Sequence, residues 1–197
     1  MITNKKIAIT GDSSGIGKSI SDYYKNTNDC IGFSLETHNL AIKETYDTAI
    51  DIIKDCDIFI NNAYDRTYRM LQADLLYDVF KLWQHDPTKA ILTIGSTAKY
   101  YNRPSLDWIQ YQISKQAIET LVDKFQVCNH KCGLIIVDPY FVRTRMYEKY
   151  LQENPSFIAK SVLETDEITT HVNYLLELYF DHEINIYRSE IRKKCNY

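Results

Sequence analysis

Residues 10 to 17 read Thr-Gly-Asp-Ser-Ser-Gly-Ile-Gly, directly after an apolar run at residues 7–10 and directly before an amphipathic stretch at residues 16–26. A strand that turns at once into a helix presents the helix's free N–H groups, and the positive end of its dipole, to whatever sits above the turn. Gly11 permits the tight exit from the strand, Gly15 lets backbone approach a pyrophosphate, and Gly17 lets the helix pack against the strand. The chain has only six glycines in 197 residues, so this turn takes half of a scarce residue. By composition alone the pattern arises about 4 times in 10,000 such chains, far below the usual false-positive rate of short motifs. The pattern predicts a dinucleotide-binding turn in which Gly11, Ser13, Ser14, Gly15, Ile16 and Gly17 meet the cofactor.

Short runs rich in isoleucine and valine recur at residues 7–10, 30–35, 57–60, 90–94 and 134–137, with a weaker one at 184–187. Runs of this kind suit strands buried on both faces. Amphipathic stretches alternate with them at residues 16–26, 49–54, 70–83, 108–127 and 167–180. This alternation predicts an α/β fold, a doubly wound parallel sheet of Rossmann type. No repeat or linker divides the chain, so residues 1–197 are expected to form one domain carrying both cofactor and substrate sites. Residues 143–164 look the least regular. They suit either a cover over the carboxyl ends of the strands or an ordinary surface connection.

Charge narrows the functional classes. With 23 basic and 26 acidic residues there is no positive field to attract nucleic acid or an anionic membrane surface, so neither is an expected partner. No apolar window is long enough to span a bilayer, and the polar start excludes a signal-peptide core, so a soluble cytoplasmic protein is expected. Five scattered cysteines do not read as a disulfide framework, and reduced thiols are expected. Cys128, His130 and Cys132 could be drawn as half a zinc site. No second Cys/His pair follows at suitable spacing, so no metal is expected.

The spacing TGxxxGxG at residues 10–17 resembles that of the short-chain dehydrogenase/reductase family, and three further motifs follow in that family's order. Asn61-Asn62-Ala63, after the run at 57–60, resembles the family's NNAG, which borders the adenosine half of the cofactor; Tyr64 replaces its glycine. Ser96 follows the run at 90–94, and Tyr111 and Lys115 open a long helix, four apart and so on one face. A YxxxK pair alone is weak, since about 1.3 arise by accident in this composition, and Tyr77/Lys81 is a second one. Order selects Tyr111/Lys115: it lies fifteen residues after Ser96, whereas Tyr77 precedes that serine and is assigned to a helix surface. The family's usual interval is nearer thirteen, implying a short insertion around residues 100–102. Last, Asp138-Pro139-Tyr140-Phe141-Val142-Arg143-Thr144 resembles PGxVxT beside the nicotinamide; Pro139, Val142 and Thr144 match, and Tyr140 replaces glycine.

The resemblance implies interconversion of an alcohol and a carbonyl by hydride transfer with NAD or NADP. Tyr111 would be the general acid/base. Lys115, with the oxidised nicotinamide, would lower its pKa and hold the ribose hydroxyls, and Ser96 would bind the substrate oxygen. An asparagine that many members place on the preceding helix is missing at residues 75–83, where Asp78 lies nearest; that role is unassigned. The position aligned with the ribose-reading residue is Ser34, and no Lys or Arg occurs between Lys25 and Lys43, which favours NAD. Family members commonly pair through their long helices, so residues 70–83 and 108–127 are the expected interface of a homodimer or homotetramer. Extended relatives acting on nucleotide sugars need a larger C-terminal domain than the 53 residues after Thr144. The remaining alternative is a non-catalytic dinucleotide-binding sensor or scaffold. Crowding by Tyr64, Tyr100, Tyr101, Tyr140 and Tyr147 suggests a small or flat substrate.

Overall fold

A computed structural model describes residues 2–101, 105–157, 159 and 161–193. Six strands run in parallel: β1 (Lys6–Thr10), β2 (Asp29–Phe33), β3 (Ile58–Asn61), β4 (Ala90–Ile94), β5 (Gly133–Pro139) and β6 (Arg188–Ile191). Their order across the sheet is β2-β1-β3-β4-β5-β6. The chain winds outward from β1 in one direction to β2 and in the other to β3, which opens a crevice beyond the carboxyl ends of β1 and β3.

Period-two alternation explains why helices cover both faces. From β1, Ile7 and Ile9 point into one core with Ile58, Ile60, Leu92 and Val137, closed by α1 (Gly15–Tyr24) and α6 (Thr165–His182). Ala8 points the other way, with Phe59, Ile91, Leu134 and Ile136, under α2 (Lys43–Lys54), α3 (Leu71–Trp83) and α4 (Leu106–Gln126). Full burial of each such side chain contributes about 1.5–3 kcal/mol. Tyr24 on α1 donates its buried hydroxyl to Asn173 Oδ1 on α6 at 3.1 Å, satisfying the one polar atom that its burial would otherwise orphan.

The α/β reading holds, with three corrections. The last strand is Arg188–Ile191, not the apolar run at 184–187, which precedes it. α2 begins at Lys43, six residues before the predicted stretch at 49–54. Residues 143–164 contain α5 (Arg145–Glu153), capped by Thr144 Oγ1 accepting from Tyr147 N at 3.3 Å, and Leu163 bridges back to Val142. The predicted insertion at 100–102 lies partly outside the described residues, as does Cys195. Thr97–Tyr100 forms a 3-10 turn. Among the described residues no helix is long and apolar enough to cross a membrane.

Candidate active site

Gly11 and Gly15 carry φ of +72° and +57°, the left-handed region that side chains avoid. Gly17 is required by contact instead: a Cβ there would lie 2.2 Å from Gly11 O and 2.6 Å from Asn62 Nδ2. The turn is clipped to the end of β3. Thr10 Oγ1 accepts from the backbone N–H of Asn62 (2.9 Å) and of Ala63 (3.0 Å), while Asn62 Nδ2 donates to Thr10 O at 3.0 Å. These bonds tie the two loops together at the switch point of the sheet.

Above them lies a cavity of about 870 Å³, of the size that small-ligand sites take. It brings together Gly11, Ser13, Ser14, Gly15 and Ile16 of the turn, Ser34 beyond β2, Asn62 and Ala63 beyond β3, Ser96, Tyr111 and Lys115, and Pro139, Val142 and Thr144 beyond β5. Two residues predicted to contact the cofactor are not among its lining. Gly17 sits beneath the turn, and Asn61 is fully buried, donating its Nδ2 to Gln72 O at 2.7 Å. Both support the cavity rather than face it. The groups present fit a dinucleotide: glycine backbone at a helix N-terminus at one end, and a phenol, a hydroxyl and an amine at the other.

At that second end Ser96 and Tyr111 both line the cavity, and Ser96 Oγ accepts from Ala98 N at 3.1 Å. Lys115 is buried. Its Nζ donates to Gln72 Oε1 at 2.5 Å and to Ile94 O at 2.9 Å, and stands 5.6 Å from the centre of the Tyr111 ring. Burial pushes the ammonium down to about 7; Asp138 opposes that shift and Lys99 adds to it. The Tyr111 phenol is held above its ordinary value, chiefly by burial and then by Tyr64 and Asp138, with the Ser96 hydroxyl pulling the other way. Burial thus raises the phenol, against the lowering expected from Lys115, whose Nζ donates to two oxygens.

Gln72 is the residue that the sequence reading missed. Besides Lys115, it reaches Asn61 O (3.0 Å) and Ile94 O (3.2 Å) through Nε2, so one amide ties β3, β4 and α4 together. Its only sequence signal is an amide in the first turn of an apolar helix. Asp78, the nearest polar group considered before, instead accepts from Tyr46 Oη at 2.7 Å. Tyr77 is 52% exposed, as a helix-surface residue should be.

The two tyrosines that replace glycines both line the cavity. Tyr64 meets Tyr111 edge-on at 4.9 Å between ring centres, and Tyr140 lies 6.0 Å from Tyr101 and 4.7 Å from Phe141. Trp108, 5.8 Å from Tyr111 and 5.9 Å from Tyr150, extends this aromatic wall. Cys128, His130 and Cys132 lie away from it. His130 Nδ1 sits 3.0 Å from Cys132 O and its ring packs edge-on against Phe80.

No protein-family model and no curated protein matches the chain. Solved structures do. A 4-hydroxyisoleucine dehydrogenase complexed with NADH shares 18% identity over 95% of this chain and 97% of its own, with a TM-score of 0.76. An alcohol dehydrogenase from the archaeon Thermococcus sibiricus, complexed with 5-hydroxy-NADP, shares 16% over 98% and 99%, with a TM-score of 0.71. An oxidoreductase of the short chain dehydrogenase/reductase family from Burkholderia thailandensis shares 14% over 97% and 92%, also at 0.71. With its six-stranded parallel sheet and its glycine turn at the switch point, the chain has the fold of the short-chain dehydrogenases/reductases.

Proposed function

We propose that the protein is an NAD(P)-dependent oxidoreductase that interconverts a small alcohol and its carbonyl compound. The observation that carries this reading is one continuous cavity with the glycine turn at one end and Ser96, with Tyr111 close to Lys115, at the other. The nicotinamide, when bound, supplies or takes the hydride. The chain's own groups do the rest. The amides of the turn and the start of α1 hold the pyrophosphate, Ser34 meets the adenosine ribose, and Pro139, Val142 and Thr144 border the nicotinamide. Ser96 orients the substrate oxygen, and Tyr111 gives it a proton in reduction or takes one in oxidation. Lys115 supports the phenolate that forms and holds the ribose hydroxyls. The aromatic wall favours a small or flat substrate.

NAD is the favoured form. No lysine or arginine occurs between Lys25 and Lys43, and the Asp12 carboxylate rests on β2, where a Cβ on Gly32 would lie 1.9 Å from Asp12 Oδ2. A 2'-phosphate would find no lysine or arginine in that stretch, so NADH is expected to bind at least about tenfold more tightly than NADPH, a difference of about 1.4 kcal/mol. Fluorescence titration with each reduced cofactor measures this, and a panel of ketones and aldehydes, followed at the nicotinamide absorbance, tests the reaction. Tighter NADPH binding overturns the preference. Tight binding without turnover on any carbonyl or alcohol replaces the enzyme by a sensor, and no binding of either cofactor removes both.

The described cysteines Cys30, Cys56, Cys128 and Cys132 are free thiols, which suits a reducing cytoplasmic setting. The outer faces of α3 and α4 expose Tyr77, Leu106, Ile109 and Ile113, and we read them as the surface a second copy covers in a homodimer or homotetramer. Light scattering is expected to give a multiple of 23.1 kDa; a monomer at working concentration overturns that assignment.

A further inference from the structure

Behind Ser96 lies a group of charges that hydride transfer does not itself require. Asp138 is fully buried near the end of β5. Its Oδ1 accepts from the Ser96 backbone N–H at 2.8 Å, while Oδ2 takes Lys99 Nζ at 2.7 Å and Arg188 Nε at 3.2 Å. Lys99 Nζ is also 3.2 Å from Glu119 Oε2 on α4, and Glu119 Oε1 in turn contacts Arg188 Nη1 on β6. Two acids and two bases thus neutralise one another, with the side chains of Lys99 and Asp138 entirely out of water.

Stability is a poor account of such a group, because burying an ion pair costs about as much solvation as the attraction returns, and apolar replacements are often as stable. Geometry is a better one. The two oxygens of Asp138 grip the same short turn at both ends, Ser96 N at its start and Lys99 Nζ three residues on. Thr97 Oγ1 adds a third tie by donating to Pro139 O at 3.2 Å. Room for this grip is reserved at Gly95, where a Cβ would lie 2.1 Å from Asp138 Oδ1. We propose that Asp138 and Lys99 are positioning residues that fix the Ser96 turn, so that its hydroxyl meets both the substrate oxygen and Tyr111. Glu119 and Arg188 complete the group, so edge strand β6 helps to set the geometry of a site it does not touch.

This inference rests on the oxidoreductase reading, so its test has one arm that needs no turnover. In the double variant Lys99→Met/Asp138→Asn, exchange of the Ser96 amide proton, read by NMR, is expected to accelerate by about tenfold or more, as a charge-assisted bond is lost. In steady-state kinetics kcat is expected to fall by about 100-fold, the cost of misplacing a reacting group by about an ångström, with KM and cofactor Kd within about threefold. Lys99→Arg, which keeps the charge, should recover a substantial part of kcat. Unchanged Ser96 exchange, or kcat within about threefold of wild type in a folded double variant, overturns the proposal. If the double variant does not fold, Asp138→Asn alone, which keeps the volume, is read by the same two criteria. A wild type without turnover fails the oxidoreductase reading, and the exchange arm then decides positioning alone.

Discussion

Replacement of Tyr111 by phenylalanine is expected to lower hydride transfer by about 10²–10⁴-fold, the range that a positioned acid/base group supplies. Cofactor Kd should stay within about threefold of wild type. The substitution removes one oxygen and leaves the ring, and it is the ring that meets Tyr64 at 4.9 Å and Trp108 at 5.8 Å, so the aromatic wall should keep its shape. What disappears is the phenol oxygen and the proton it carries. Because burial holds that phenol above its ordinary value, it is neutral throughout the physiological range and ready to donate to a developing alkoxide. Reduction should therefore persist well above neutral pH, whereas oxidation, which needs the phenolate, should gain rate as pH rises. Turnover near the wild-type rate in Tyr111→Phe would remove the tyrosine from the chemistry.

The parts of the fold that were legible in the sequence are those where local chemistry and tertiary demand agree. β1, its turn and α1 were readable because left-handed backbone at residues 11 and 15 and the 2.2 Å approach at Gly17 all call for glycine. β3, β4 and β5 were readable because strands buried on both faces must be largely apolar. The misplaced strand shows the converse. Ile184 is 48% exposed, while β6 is the polar segment Arg-Ser-Glu-Ile, which closes a sheet edge and sends Arg188 to Asp138 and Glu119. An edge strand whose side chains serve an ion cluster carries no apolar pattern to find. α5 was missed for a related reason: none of its residues is buried, so no core-facing stripe marks it.

At the candidate site the types of side chain were legible and their partners were not. Ser96, Tyr111 and Lys115 meet in the cavity as order along the chain implied. That Lys115 is held by Gln72 and by Ile94 O depends on residues 43 and 21 positions away, and no spacing rule reaches them. Nor does a string of residue types reveal desolvation, which decides the direction in which both Tyr111 and Lys115 titrate.

Lys115→Met is the variant in which that desolvation becomes measurable. A base whose folded pKa is pushed down to about 7 from 10.5 is disfavoured as a cation in the native state. The cost is fully present below pH 7 and fades as pH rises toward the unfolded value, so this residue makes the protein more stable with increasing pH between about 7 and 10. Hydrogen bonds from Nζ to Gln72 Oε1 and Ile94 O favour the cation and reduce the effect, leaving a slope worth about 2–3 kcal/mol across the window. Methionine has a similar length and no charge, so the stability of wild type relative to Lys115→Met should climb by that amount from pH 7 to pH 10. Comparing the two chains cancels other groups, such as the buried Tyr24 phenol, whose raised pKa lowers the stability of both alike above pH 10. Urea denaturation at a series of pH values measures the difference, and a flat difference would mean that Lys115 titrates as a solvated lysine does. The same variant should lose turnover by about 10² or more, since the phenolate then lacks its cationic support. A variant as active as wild type would leave Lys115 a packing residue, whereas loss of turnover in the variant together with the stability slope between the two chains would tie the charge of Lys115 to the reaction and to the stability of the fold at once.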